Sequence, residues 1–361
     1  MRNPVLGIDT SNYRTSAAAY DPETGEYQNC GRLLDVPAGA IGLRQSDALF
    51  QHTLHLHEQV GRLPEGLKPR AVGVSTRPRA VEGSYMPCFL AGENAARTAA
   101  QLLGVPLFPC SHQQGHLAAA ALSAGQLRLL DGEFLAWHLS GGTSELLHVR
   151  AGADGLPDAE RIGGTTDLAA GQLIDRCGQL LGLAFPAGAA LDRLQQGCTA
   201  PVKAYRPKVK DCEFSLSGMQ NQVEALAKKG APPETVARFT VETILNAVAE
   251  ATAQALAQAK LPVLCAGGVM SCTLLQERLS ARFGCAFATP ELSGDNAVGA
   301  AVLAARQLRG SAPAPRAYAA GGPARTAPEG LGRSLNYMPL ACSLRRARKS
   351  RAAAQTHRRA P

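Results

Sequence analysis

Short apolar runs that end in Gly, Asp, Ser or Thr, alternating with alanine-rich helical stretches, restrict the fold of this chain more than any other feature. The runs are PVLGI at 4–8, AVGVS at 71–75, FLAWHL at 134–139 and PVLCA at 262–266. The helical stretches cover 92–103, 169–183 and 235–260. Apolar runs of this length bounded by turn residues read as buried strands, and their alternation with helices reads as α/β. A block of strand, hairpin and helix starts at the N-terminus and starts again near Phe134, so two similar halves are expected without a strict repeat. A chain of 361 residues also exceeds the size at which one core keeps growing. The expectation is a first lobe over 1–130, a second over 131–306, and a tail over 307–361.

The net charge of +8 suggests a nucleic-acid footprint until it is localised. Residues 307–361 hold eleven Lys and Arg against one acidic residue, Glu329, and so carry +10, which leaves −2 on residues 1–306. The Pro/Gly/Arg-rich tail is expected to be a solvated, disordered end able to attract phosphate without specificity. No apolar stretch reaches the ~20 residues that span a bilayer, and the N-terminus meets Gly and Asp too early for a signal peptide, so no membrane partner and a cytoplasmic location are expected. Ten scattered cysteines with no CxxC pair read as small buried apolar residues, not as disulfides or a zinc finger.

Four segments carry candidate chemistry. In LGIDTSNYRTS at 6–16, a strand delivers Asp9, Thr10 and Ser11 into a turn whose hydroxyls and amides suit phosphate, while a carboxylate can hold a metal-bound water. In LSGGTSEL at 139–146, two glycines allow backbone to approach a ligand beside Ser140, Thr143 and Ser144; a tight hairpin is the alternative. AGGV at 266–269 permits packing of a flat base against backbone, or a plain strand-to-helix turn. The most specific is SHQQGHLAAAAL, where His112 and His116 at i and i+4 place both imidazoles on one helix face, about 5–6 Å apart at Cβ. The competing cluster His52, His55 and His57 reads as an amphipathic, partly exposed stretch. Asp295 in ELSGDNAVGAA is the best third ligand, although it could equally cap the following helix.

Taken together and in this order, these pieces resemble the TsaD family, the catalytic subunits of tRNA N6-threonylcarbamoyladenosine synthesis, also labelled O-sialoglycoprotein endopeptidase (peptidase M22). The resemblance covers about the first 305 residues. It implies an actin/Hsp70-like two-lobed α/β fold, with duplicated sheet-plus-helix halves around a central cleft. It further implies one divalent metal, iron first and zinc or manganese as alternatives, held by His112, His116 and Asp295. An adenine nucleotide or adenylate is implied at Leu139, Ser140, Gly141 and Gly142, with Asp9 and Ser11 in the first hairpin. DLAAGQLID at 167–175 ends on Asp175, a carboxylate suited to ribose hydroxyls; Gly188 matches a glycine approaching the same ligand, and EFSLSG at 213–218 a further cleft segment.

The departures from that family are equally specific. Thr143 replaces a histidine after SGG, Cys272 stands where a nucleoside-binding asparagine is usual, Gln172 replaces an acid, and Arg14, Arg77 and Arg79 add charge. The chain therefore reads as a divergent paralogue. The implied activity is transfer of a threonylcarbamoyl group from its adenylate to N6 of the tRNA adenosine beside the anticodon, with tRNA and further subunits as partners and no side chain singled out as catalytic. A non-catalytic or altered-substrate scaffold is the alternative. Metallopeptidase activity ranks last, because Gln113 and Gln114 leave HxxxH without a glutamate base.

Overall fold

The computed structural model describes residues 1–11, 13–36 and 43–310. The first apolar run forms β1 (Val5–Asp9), buried along its whole length, which pairs antiparallel with β2 (Arg14–Tyr20); β2 pairs in turn with β3 (Tyr27–Leu33). After α1 (Gln45–Gly61), β4 (Val72–Arg77) lies parallel to β1; after α2 (Phe89–Leu103), β5 (Leu107–Ser111) lies parallel to β4 and runs into α3 (His112–Ser123). The order is β3-β2-β1-β4-β5.

The second half repeats this plan. A meander of β6 (Phe134–Leu139), β7 (Ser144–Ala151) and β8 (Pro157–Thr165) is followed by α4 (Ala170–Leu180), α5 (Gly188–Gln196), β9 (Glu213–Phe214), α6 (Ser217–Lys228) and α7 (Pro233–Gln258). Then β10 (Val263–Ala266) joins parallel to β6, and α8 (Thr273–Phe283), β11 (Ala286–Phe287), α9 (Pro290–Ser293) and α10 (Val298–Gly310) complete it. The order is β11-β10-β6-β7-β8-β9. In each sheet a three-stranded meander gains two parallel strands beyond its first strand. That shared topology is the duplication, and it gives the actin/Hsp70-like α/β class expected from the sequence.

Burial divides into layers. Leu6, Ile8, Val72 and Val74 face α1 and α2 on one side of the first sheet, while Leu135, Trp137 and Leu139 face α4–α8 on the far side of the second. Between the sheets, the alanines of α3 (Ala118–Ala121) and α10 (Ala300, Ala301, Ala304) form the central core with Val5, Phe134 and Leu264. Small residues are needed there because backbone meets backbone. A Cβ on Gly7 would lie 2.1 Å from the Ala297 carbonyl oxygen, one on Gly73 2.1 Å from that of Ala300, and one on Gly299 1.8 Å from that of Gly115.

Several boundaries differ from the sequence reading. The first helical stretch starts at Phe89, and α4 stops at Leu180. Past the boundary expected at residue 307, α10 continues to Gly310, with Gln307 Nε2 donating to the Asp154 carbonyl at 3.0 Å. Residues 311–361, which hold most of the basic segment, lie outside the described residues, as does Asn12 of the first hairpin motif. The nine described cysteines are free, and all but Cys198 are buried. On α1 the histidines alternate as expected: His57 is exposed, while His52 is buried with Nδ1 2.8 Å from Thr15 Oγ1. Among the described residues no helix is long and apolar enough to cross a membrane.

The α3–α10 crossing yields a stability prediction. Gly299→Ala puts a methyl group against rigid backbone and is expected to cost about 1–3 kcal/mol. Gly132→Ala, whose Cβ meets nothing within 4 Å, should leave the urea midpoint unmoved. Equal midpoints for both variants would show that the helices are not in backbone contact.

Candidate functional site

The strongest candidate forms where β5 turns into α3. Ser111 caps the helix: its Oγ accepts the Gln114 amide at 3.2 Å, and Gln114 Oε1 accepts the Ser111 amide at 2.8 Å. This capping box fixes the first turn, so His112 and His116 lie edge to face on successive turns with ring centroids 4.3 Å apart. Their Nε2 atoms are 2.9 Å apart. Asp295, from the loop between α9 and α10, brings Oδ1 to 3.2 Å from His116 Nε2 and 3.5 Å from His112 Nε2. The capping alternative for Asp295 falls to its neighbour, since Asn296 Oδ1 accepts the Gly299 amide at 3.2 Å.

Behind the trio stands Asp9, buried at the end of β1. Its Oδ2 lies 2.9 Å from His112 Nδ1 and accepts the Ser75 hydroxyl, while Oδ1 accepts the Ser11 amide at 3.0 Å and the Ser11 hydroxyl. A carboxylate on Nδ1–H directs the opposite nitrogen, Nε2, outward as a donor atom. Burial opposes charge on Asp9, yet His112 and the Ser11 and Ser75 bonds hold its carboxyl below the usual range. Burial likewise opposes charge on His112, but Asp9 and Asp295 outweigh it and lift the imidazole to about 10. The two histidines hold Asp295 low against its own burial.

Two imidazole nitrogens 2.9 Å apart repel unless a proton or cation lies between them. Ligand atoms bound at about 2.1 Å to one ion sit roughly 3.0–3.5 Å from each other, which is the spacing of these three donors. Two nitrogens and one carboxylate oxygen are a set that transition ions accept. The residues present therefore fit a divalent metal.

The other residues named from the sequence fall into two neighbouring groups. The hairpin between β6 and β7 is braced from behind. A Cβ on Gly171 would lie 2.5 Å from the Ser140 carbonyl oxygen, and one on Gly267, at φ +96°, 2.1 Å from that of Leu139. Gly171 N donates to that Ser140 oxygen at 3.2 Å, and Ser140 Oγ accepts the Gly142 and Thr143 amides. Leu139 is buried, whereas Gly141 and Gly142 are exposed at the tip. The second group surrounds α5. Asp175 Oδ1 accepts the Ala187 amide at 2.9 Å just before it, Gly188 opens it where an added Cβ would meet nothing within 4 Å, and Cys272 Sγ lies 3.1 Å from Oδ1 of Asp192 within it. Burial, with the bond to Asp192, pushes the Cys272 thiol up to about 12, so it is protonated at neutral pH.

Several contributors escaped the sequence reading. Ser75, Asp192 and Glu145, which lies on β7 2.6 Å from Arg79 of the loop after β4, leave no local signal because their partners are remote in sequence. Asp167 is another: its carboxylate accepts the Ser215 hydroxyl and the Leu216 amide at 2.8 Å, so DLAAG and FSLSG, noted separately, are one unit at the start of α6. His138 also went unnoticed; burial, then His116 and His112, push it down to about 3.

Likeness to solved structures defines the fold class first. The crystal structure of T. kodakarensis HypF superposes with a TM-score of 0.56 at 14% identity, covering 85% of this chain and 48% of that one. Full-length HypF in its phosphate- and nucleotide-bound form gives 0.55 at 13%, covering 86% and 56%. Sequence then narrows the class to a family. The profile of "TsaD: tRNA N6-adenosine threonylcarbamoyltransferase" matches residues 71–302. The tRNA N6-adenosine threonylcarbamoyltransferase of Albidiferax ferrireducens is 33% identical over 78% of this chain and 83% of its own length. That of Aromatoleum aromaticum is 30% identical over 87% and 95%. This chain belongs to the TsaD family.

Asp167 offers a direct test. Against the opposing effect of its burial, bonds from Ser215, Ser217, Leu216 and Leu168 hold its carboxyl well below the usual carboxylate range. A depressed carboxyl contributes stability above its unfolded pKa and loses it as pH falls. Asp167→Ala is therefore expected to lower the melting temperature at pH 7, with the gap to wild type shrinking at and below about pH 3. A gap that stays unchanged from pH 7 down to about pH 2 would mean that the charge is not what matters.

Proposed function

We propose that this chain is a metal-dependent transferase that moves a threonylcarbamoyl group from its adenylate to N6 of a tRNA adenosine. One observation carries this reading: His112, His116 and Asp295 converge within 3.5 Å of one another on a buried Asp9 brace, in a chain of this family. The ion they would hold, which this donor set leaves open among iron, zinc and manganese, supplies a Lewis acid toward a carbonyl or phosphate oxygen.

The rest of the work falls to the chain's own groups. Asp9 fixes the orientation of His112 before any substrate arrives, which removes a reorganisation cost at the moment of reaction. The exposed tip at Gly141 and Gly142, with no side chains, lets an adenylate phosphate approach backbone amides. The half-buried Asp175 keeps a second carboxylate oxygen beside Gly188, where ribose hydroxyls can donate to it. In the transfer, the adenosine N6 bonds to the carbamoyl carbon, the carbon–phosphate oxygen bond breaks, AMP departs with that electron pair, and N6 gives its proton to solvent. Cys272, protonated and tied to Asp192, is no covalent nucleophile. Further subunits of a transfer complex and the chain's own basic tail would help hold the tRNA.

A second reading, an altered-substrate or non-catalytic paralogue, is favoured by Arg79. Its guanidinium joins Glu145 beside the hairpin and places a cation where the family carries small residues. An assay with ATP, threonine, bicarbonate, tRNA and the enzymes that make the adenylate separates the two, read by mass spectrometry of digested nucleosides. Threonylcarbamoyl-adenosine is expected from the wild type. His112→Ala should lose bound metal and product together, and Asp9→Asn should weaken metal binding about 10–100-fold. Wild type that binds metal and nucleotide yet makes no modified adenosine would overturn the transferase reading in favour of the second. Undiminished metal in His112→Ala would overturn the ligand assignment.

A further inference from the structure

Charge is unevenly spread over residues 1–306. They carry −2 in all, yet KAYRPKVK at 203–210 holds Lys203, Arg206, Lys208 and Lys210 with no acidic residue. This segment lies between α5 and β9, and side chains of α7 hold it in place. Asn246 Nδ2 donates to the Tyr205 carbonyl at 2.9 Å, and Gln254 Nε2 to the Val209 carbonyl at 3.2 Å. These two amides stand eight residues apart, about 12 Å along the helix, so the segment runs extended along α7. Pro207 is buried, whereas the four cations and Tyr205 are exposed. On another flank of α7, α8 presents the exposed Arg278 and Arg282 one turn apart. A groove of about 450 Å³ between α7 and α8 passes both arginines, and one of about 680 Å³ between α7 and the basic segment passes Lys203, Tyr205 and Phe239. Glu242 and Asn246 line both, so the two adjoin. Glu242 is the acid in their walls, and Arg238 Nε donates to it at 2.7 Å. Among the described residues Lys203, Arg206, Lys208, Arg278 and Arg282 form no ion pair.

We propose that this double groove holds the phosphate backbone of the tRNA at a distance from the reacting adenosine. The proposal rests on the tRNA reading above. Unpaired cations gathered on one face of a body whose net charge is negative are the footprint of a polyanion. Tyr205 and Phe239, beside the amides of Asn246 and Gln222, add ring faces and donors for unpaired bases, which favours RNA over an acidic protein. The position suits the same reading. α8 starts directly after Cys272, whose thiol meets Asp192 of α5 beside Gly188, the part of the site read as holding the nucleoside. Arg278 and Arg282 lie six and ten residues past Cys272, about 9 and 15 Å along the helix. At about 3.4 Å per nucleotide, a strand leaving the site reaches them within roughly three to four nucleotides.

The test measures tRNA binding by the full chain, in fluorescence anisotropy between about 50 and 200 mM salt. A variant carrying both Arg278→Ala and Arg282→Ala is expected to bind about tenfold more weakly at the lower salt. Its plot of log K against log salt should flatten by about one for each cation removed. In the transfer assay the same variant should raise KM for tRNA and keep kcat. Photo-crosslinking with tRNA carrying 4-thiouridine should mark the peptide that contains Tyr205, a readout the basic tail cannot supply. Wild-type affinity and slope in the double variant, with crosslinks confined to other peptides, overturn the proposal and leave an acidic protein as the groove's occupant. Wild type that binds tRNA through the groove yet makes no modified adenosine supports this proposal and overturns the transferase reading. Wild type that binds no tRNA overturns both.

Discussion

The close crossing of α3 and α10 is the constraint on which the rest of this molecule depends. Gly115 sits between His112 and His116, and Gly299 follows Asp295 by four residues, so the point of backbone contact lies within a turn of each donor. A larger residue at Gly299 would separate the helices and draw Asp295 away from the histidines. The same approach explains the alanine-rich faces of both helices, since little volume remains between two sheets that share one central layer. Packing and site geometry are here a single problem with one solution.

Around that crossing, electrostatics finishes what packing begins. Asp9 is buried at the end of a central strand, a costly place for a carboxylate, and is held there by Ser11, Ser75 and His112. The cost is offset because the same bonds orient His112. The hairpin at 139–142 is treated similarly: Gly171 and Gly267 let neighbouring backbone press against Ser140 and Leu139, leaving a rigid base and an open tip. Cys272, Arg79 and Gln172 each have a partner in the structure. Cys272 binds Asp192, Arg79 binds Glu145, and Gln172 Oε1 accepts the Ala169 amide at 3.2 Å.

Much of the architecture was readable from local pattern. Strands such as FLAWHL declared themselves by apolar runs ending in turn residues, and HxxxH declared a helix face through the 3.6-residue period. Helix ends were less readable: α10 continues past the expected boundary because Gln307 finds a remote carbonyl at Asp154. Roles were harder still. Ser11 looked like a phosphate contact in its hairpin, yet both its amide and its hydroxyl turn to Asp9. The glycines of AGGV suggested a flat ligand, and Gly267 serves first to let β10 approach Leu139.

What the sequence alone determined are properties with a short period: strand and helix, the pairing of two histidines on one face, and the duplicated order of elements. What only the tertiary structure decided are contacts between residues far apart in the chain, such as Asp9 with His112, Asp295 with His116, and Glu145 with Arg79. The reason is physical. A period of two or 3.6 residues is written in neighbouring side chains, whereas the meeting of β1, α3 and the loop before α10 depends on how closely two helices can pass between two sheets. That distance is set by the summed volume of residues from the whole chain, and no local segment contains it.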